Sequence, residues 1–419
     1  MYAQKLDSTI VSTDITNFWY AYDKITGTND STLQYSYLNQ LFIRKGSPGL
    51  RAIMQARNYT LESYMNAIKR YPRFWNSIRE NTLETGKFAD SIAKNIQKLR
   101  TLYPDLRPAK IYFTIGAFKT GGTTQDGMVL IGSEIALADE RVETSEFPSN
   151  YNFLKTFFKS NPIDNVVFNN IHEYVHTQQK TTDADYLLAQ CVLEGVAEFI
   201  AEKATTKHST SPAINYGRRN DEKIKSHFIL QMFNFSNGFW LYNNDQNIFG
   251  VRDLGYYVGY AICEKFYLKA NNKLQAIKHM IELDYNNFIS LSNFVDQSTY
   301  FGKQITTLKK NYEDHRPFVK GIRPFTNNSS NVAVMNTEII VEFSTPMDIR
   351  FKSFSVGPLG KANLLKFKFK GFSSDGKYAK LEVALKPSQV YQVVLGEGFR
   401  NKNSNQLKPY LLSFETESK

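Results

Sequence analysis

Apolar residues recur every three to four positions through most of the chain up to His315, and every second position beyond Pro317. The first spacing covers one face of an α-helix and the second one face of a β-strand, so the architecture changes near Arg316. Before that point the helical period is clearest over Leu61–Arg79, Asp90–Leu102 and Asn271–Leu283. Two apolar runs interrupt it, Ile111–Gly116 and Met128–Gly132, which predict strands joined through a glycine-rich turn at Thr120–Thr124. After it, alternating runs at Glu338–Phe343, Leu364–Lys370, Tyr378–Leu385, Val390–Leu395 and Leu411–Phe414 are separated by Pro, Gly, Asn and Ser. Strands at that spacing predict a sandwich. The expected fold is α+β: a mainly helical domain over residues 1–316 with a small edge sheet, then an all-β sandwich over residues 317–419. With 42% of 419 residues hydrophobic, the chain can fill both cores.

One predicted helix carries chemistry. Pro162 and Asp164 supply its start, Val167, Phe168 and Ile171 its apolar face, and about two turns in the chain reads His172-Glu173-Tyr174-Val175-His176. Residues four apart share a helix face, so His172 and His176 can grip one metal ion. Glu173 is rotated off that line yet adjacent to it, the place for a general base acting on water. Such a motif also arises by chance, and its context decides between the two. A second helix is expected to begin near Asp183 or Asp185, with Leu187, Leu188, Cys191 and Val192 as its apolar side and Glu194 and Glu198 one turn apart. Gly195 and Ala197 beside these carboxylates suit the close approach of another helix.

In these residues the chain resembles the gluzincin metallopeptidases, the clan of thermolysin and the aminopeptidase N family. Leu193-Glu194-Gly195-Val196-Ala197-Glu198 matches the Asn-Glu-Gly-x-Ala-Glu motif of the latter except at Leu193, and the stretch before it is one residue shorter. The resemblance implies Zn²⁺ held by His172, His176 and Glu194, with Glu198 orienting a histidine from behind; Glu198 as direct ligand is the alternative. It also implies an oxyanion donor. Tyr256-Tyr257-Val258-Gly259 has the family's Tyr-x-x-Gly form, which places Tyr256 first and Tyr257 and Tyr260 after it, while the bland reading makes all three core aromatics. The family's amine-recognition strand, Gly-x-Met-Glu-Asn, is missing, so an endopeptidase or specialised peptidase is expected rather than a general aminopeptidase. In its place an edge strand carrying Met128, Val129 and Leu130 would pair with an extended peptide, and Glu134 would contact substrate or stand as a surface carboxylate.

The sandwich resembles a bacterial Ig-like domain of surface-layer and envelope proteins, through Ile340–Asp348, Tyr391–Leu395 and Phe414-Glu415-Thr416. Lys366, Lys368 and Lys370 alternate with Phe367 and Phe369, placing lysines and phenylalanines on opposite faces. From Arg316 onward there are 16 Lys and Arg against 8 Asp and Glu, so most of the net charge of +11 falls there. That excess suits an anionic cell-wall polymer, membrane surface or glycan; no nucleic-acid-binding signature accompanies it. No run is long and apolar enough for a transmembrane segment, and Cys191 and Cys263 are expected as buried free thiols. Export to the periplasm, cell surface or medium, with a leader absent from this sequence, is the expected location, and the cytoplasm the alternative. The opening Thr13–Asp23 reads as a helix capped at Asp14 with buried aromatics, or as a cover over a cleft.

These readings converge on a zinc metallopeptidase of the cell envelope acting on a peptide or protein. Two rivals remain: an envelope binding or scaffold protein with a non-catalytic zinc site, and a helical adhesion protein in which the motif is accidental.

Overall fold

The computed structural model describes residues 9–180, 184–235, 237–243 and 247–418. They fall into two compact units, one of Met1–Ala184, Ala189–Arg219 and Leu241–Tyr300, the other of Asp185–Leu188, Asn220–Trp240 and Phe301–Lys419.

Helices dominate the first unit, and local chemistry sets their ends. Leu61–Arg79, expected as one helix, extends over two, Leu61–Arg70 and Pro72–Leu83. Pro72 is the cause: its ring disfavours the helical region for Tyr71, which sits at φ −132°, ψ 48°. Helices Ala89–Leu102 and Lys273–Glu282 keep their expected places. Thr13–Thr26 buries Phe18, Trp19 and Tyr22, the indole of Trp19 donating to Thr82 at 2.8 Å. Asp14 is no cap to this helix; it is buried in the first turn and accepts hydrogen bonds from Ser47 N and Oγ.

Four strands form the sheet of this unit: β1 (Ile10–Val11), β2 (Ile111–Thr114), β3 (Gly122–Gln125) and β4 (Met128–Gly132), in the order β1-β2-β4-β3. The expected glycine-rich turn is thus half strand. Asp126 and Gly127 turn β3 back onto β4, both at positive φ (51° and 72°), the geometry of a two-residue hairpin. β4 lies between β2 and β3, with Val129 opposite Ile111 on one side and Thr124 on the other. The strand expected at the edge is therefore interior, and Met128, Val129 and Leu130 have no open edge to offer a peptide. β3 holds that place among the described residues.

Glu134, expected at the surface or against substrate, is fully buried. Its Oε2 accepts from Gly116 N at 2.8 Å and its Oε1 from Phe118 N at 3.2 Å, anchoring the loop that leads into β3. Burial pushes its carboxyl up to about 7 despite these bonds. The folded chain consequently binds this proton more tightly than the unfolded chain, so the contribution of Glu134 to stability is greatest below pH 4.5 and is lost as pH rises to about 7. Over that window the loss amounts to roughly 3 kcal/mol. Urea midpoints at pH 5 and pH 8 should converge in Glu134→Gln relative to the native chain; an unchanged difference would assign the pH dependence elsewhere.

Among its described residues the second unit contains seven strands: β5 (Val319–Arg323), β6 (Glu338–Phe343), β7 (Phe354–Ser355), β8 (Phe367–Phe372), β9 (Tyr378–Val383), β10 (Val390–Leu395) and β11 (Tyr410–Glu415). They make two antiparallel sheets, β5-β6-β9-β8 and β11-β10-β7, over one apolar core. In β6 the period of two is complete: Ile339, Val341 and Phe343 are buried and the residues between are half-buried. Phe367 and Phe369 pack against the same core. On the outer face Lys370 pairs with Glu382 at 2.8 Å, and Lys320 and Lys380 reach Glu342 and Glu338 at 3.5 Å. Part of the basic excess is therefore matched across neighbouring strands. α+β organisation, with helices first and antiparallel sheets last, follows the sequence pattern.

Candidate metal centre

Helix Val166–His176 begins after a 3-10 turn at Pro162–Asn165, so Asp164 lies inside that turn and caps nothing. His172 and His176 close the helix on one face and point their Nε2 atoms at each other, 3.1 Å apart. The second helix begins at Leu187, beyond Asp185; Asp183 lies outside the described residues. It brings Glu194 to the pair, with Oε2 3.2 Å from His176 Nε2 and 3.4 Å from His172 Nε2. All three side chains are buried, and together they form a group that could hold a metal ion, the one such group among the described residues.

The back of each imidazole is also held. His172 Nδ1 lies 2.9 Å from Glu198 Oε2, and the other Glu198 oxygen accepts from the Ser209 hydroxyl. Glu198 thus stands behind a histidine. His176 Nδ1 lies 2.6 Å from Gln179 Oε1, while Gln179 Nε2 donates to Leu193 O and Tyr285 Oη, both at 2.9 Å. With Nδ1 donating backward on both rings, both Nε2 lone pairs face the centre. Gln179→Leu, close in volume, should weaken divalent-metal binding about 10- to 100-fold in competition with a chromophoric chelator. Unchanged affinity would mean that His176 needs no partner behind it.

Glu194 is restrained as well. The Tyr242 hydroxyl donates to its Oε1 at 2.6 Å and accepts from Gln190 Nε2 at 3.1 Å, leaving Oε2 alone directed at the histidines. Tyr242 sits at φ 56°, a left-handed conformation that an aromatic residue adopts at a cost of about 1–2 kcal/mol. Neither Gln179 nor Tyr242 was legible as a site residue. Gln179 carried one faint signal, a polar amide three residues past His176; Tyr242 carried none.

Electrostatics match this arrangement. Burial alone would raise the Glu194 carboxyl, but His176 and His172 outweigh it and hold it well below the usual carboxylate range. Burial likewise opposes charge on His172, and Glu194 and Glu198 prevail, pushing it up to about 10. Glu173 moves the other way: burial raises its carboxyl against the pull of His176 and His172. It rests on β3 at Gly122, where a Cβ would lie 2.7 Å from its Oε1. A larger residue there would make the Glu173 carboxylate shift.

Among the three candidate tyrosines, Tyr256 faces the centre. Its ring stacks on His172 with centroids 6.1 Å apart, and its hydroxyl has no hydrogen-bond partner among the described residues. Burial and then Glu194 push its phenol far up, so it stays protonated and can donate. Tyr257 instead packs on Gly217, and Tyr260 bonds Glu202 at 2.9 Å and Arg218 at 2.8 Å. Cys191 and Cys263 are both buried free thiols.

No protein-family model and no curated protein matches the chain. Among the solved structures that align with it are the S-layer protein rSbsC(31-844) at 10% identity and the surface layer protein SbsC, domains 1-6, at 11%. Each alignment covers 97% of this chain and 45% of the other, with a TM-score of 0.18. The chain therefore spans less than half the length of either.

Proposed function

We propose that this chain is a zinc-dependent peptidase of the gluzincin type, working at the cell envelope. The observation that carries the reading is the triangle of His172 Nε2, His176 Nε2 and Glu194 Oε2, with sides of 3.1, 3.2 and 3.4 Å. Bonds of about 2.0–2.1 Å to a tetrahedral zinc put donor atoms roughly 3.3 Å apart, so nitrogen and oxygen donors fit that ion without rearrangement. Three protein donors leave one position open, as in catalytic rather than structural sites. Zinc bound there would supply Lewis acidity, polarising a carbonyl and lowering the pKa of water.

The remaining chemistry belongs to the side chains. Glu173, with its raised carboxyl pKa, takes a proton from water and delivers it to the leaving amine. Tyr256 donates its free hydroxyl to the developing oxyanion. The open edge of β3 beside Glu173 pairs with the backbone of an extended peptide, the role first expected of Met128–Leu130. The C-terminal sheets serve as an Ig-like module holding the enzyme against an anionic wall polymer or glycan.

The test is hydrolysis of a peptide library by the purified chain, with metal content measured alongside. Cleavage should vanish on chelation and return with zinc. Bound zinc without cleavage of any library member would favour the scaffold reading, and absence of bound metal would remove both.

A further inference from the structure

Arg57 ends the helix Pro48–Arg57 and meets the open edge of the sheet. Its Nη2 donates to Thr123 Oγ1 at 2.8 Å, and Thr123 lies within β3. Its Nε is buried with no hydrogen-bond partner, and no carboxylate of the described residues comes within ion-pair distance. In the same unit Arg79, Arg218 and Arg252 each have a carboxylate at contact distance, Asp23, Glu202 and Asp253. Glu173 feels the charge of Arg57 only at longer range, and a partly buried guanidinium whose Nε has no partner is costly, so an anionic ligand at contact distance would supply what is missing.

Strand geometry says where that anion would sit. Successive residues of a strand point to opposite faces: Gly122 faces Glu173, so Thr123 faces the other side, where it meets Arg57. A peptide paired to the open edge of β3 obeys the same alternation. The residue directly opposite Thr123 would carry its Cβ about 4.5–5.5 Å from that of Thr123, on the Arg57 face and within reach of the guanidinium. Its neighbours along the peptide would turn to the opposite face of the strand, the side of Gly122 and Glu173, away from the guanidinium. The recognition is therefore positional.

We infer that Arg57 is a specificity determinant, and that the site takes extended peptides with Asp or Glu at the position opposite Thr123. This rests on the peptidase reading above, through the pairing of substrate with β3.

Two measurements on the full chain test it. In the first, peptides in which one Asp is walked through a neutral sequence are titrated against zinc-loaded Glu173→Gln, with Asn counterparts as reference. One position should favour Asp by about tenfold or more, the scale of a charge-assisted hydrogen bond. Adding Arg57→Gln should abolish the preference at unchanged zinc content, and Arg57→Lys should restore part of it. In the second, cleavage products of a peptide library are profiled for the native chain and for Arg57→Gln. Acidic preference that depends on Arg57 in binding, without any cleavage, leaves the anion site standing and removes the peptidase. Cleavage without acidic preference, or with a preference that survives Arg57→Gln, removes the inference and leaves the peptidase. No preference for Asp over Asn at any position in binding also overturns it.

Discussion

Glu173→Gln should retain bound zinc and lose about 10²- to 10⁴-fold in kcat, the usual contribution of a positioned acid–base group. The amide has the shape of the carboxylate, so it fits the space left by Gly122 and leaves the packing of the helix undisturbed. It does not accept a proton, and nothing else beside the triangle is placed to take over. His172 and His176 direct their remaining nitrogens at Glu198 and Gln179, while Glu194 is held between the histidines and Tyr242. Zinc stoichiometry and turnover measured on one preparation separate the two effects. A variant that binds zinc and turns over at the native rate would remove Glu173 from the chemistry; a variant that loses zinc would make it a structural support of the site.

Gly259→Ala should be the most damaging single methyl in the first unit. Helices Leu187–Thr205 and Leu254–Lys269 cross at Gly195 and Gly259, backbone against backbone. A Cβ at Gly259 would lie 1.8 Å from Cys191 O, and one at Gly195 would lie 2.0 Å from Gly259 C. Overpacking a core costs about 1–3 kcal/mol where side chains can yield, and more where, as here, main chain must move. We expect a loss above 3 kcal/mol, read as a fall in denaturation midpoint. The candidate centre should suffer with it, because Glu194 lies on one of the two crossing helices and Tyr256 on the other. Gly86→Ala, where nothing lies within 4 Å, is the control and should change stability by less than about 0.5 kcal/mol. A Gly259→Ala variant that unfolds like this control would refute the close crossing.

Much of the centre was written locally. Four-residue spacing on a helix obliges His172 and His176 to share a face, and obliges Glu194 and Glu198 to do the same on the next helix, whatever else the chain does. The resemblance supplied the order of ligand and supporting carboxylate, and the distances agree with that order: Glu194 meets both Nε2 atoms and Glu198 meets an Nδ1. Tyr256 was singled out among three neighbours by a motif, and its ring does face His172.

Other features had readable signals that were outweighed. Asp126-Gly127 is a strong hairpin signal, yet Gly121-Gly122 beside it competes as a turn about four residues too early and masks β3. Pro72 should have divided Leu61–Arg79, but the apolar period continues in phase across it.

By itself, then, the sequence determined the periodic content of this protein: helices followed by strands, a pair of imidazoles one turn apart, and a pair of carboxylates one turn apart. Those follow from bond geometry between near neighbours. Only the tertiary structure decided which strand is left open, that Glu134 is buried under a loop, that Gln179 and Tyr242 hydrogen-bond His176 and Glu194, and that Arg57 has no contact ion pair among the described residues. Most depend on contacts between residues tens of positions apart, such as Arg57 with Thr123 or Tyr242 with Glu194, and no local period encodes a contact of that range; Gln179 lies three residues past His176, but the Tyr285 that fixes its amide is just as distant.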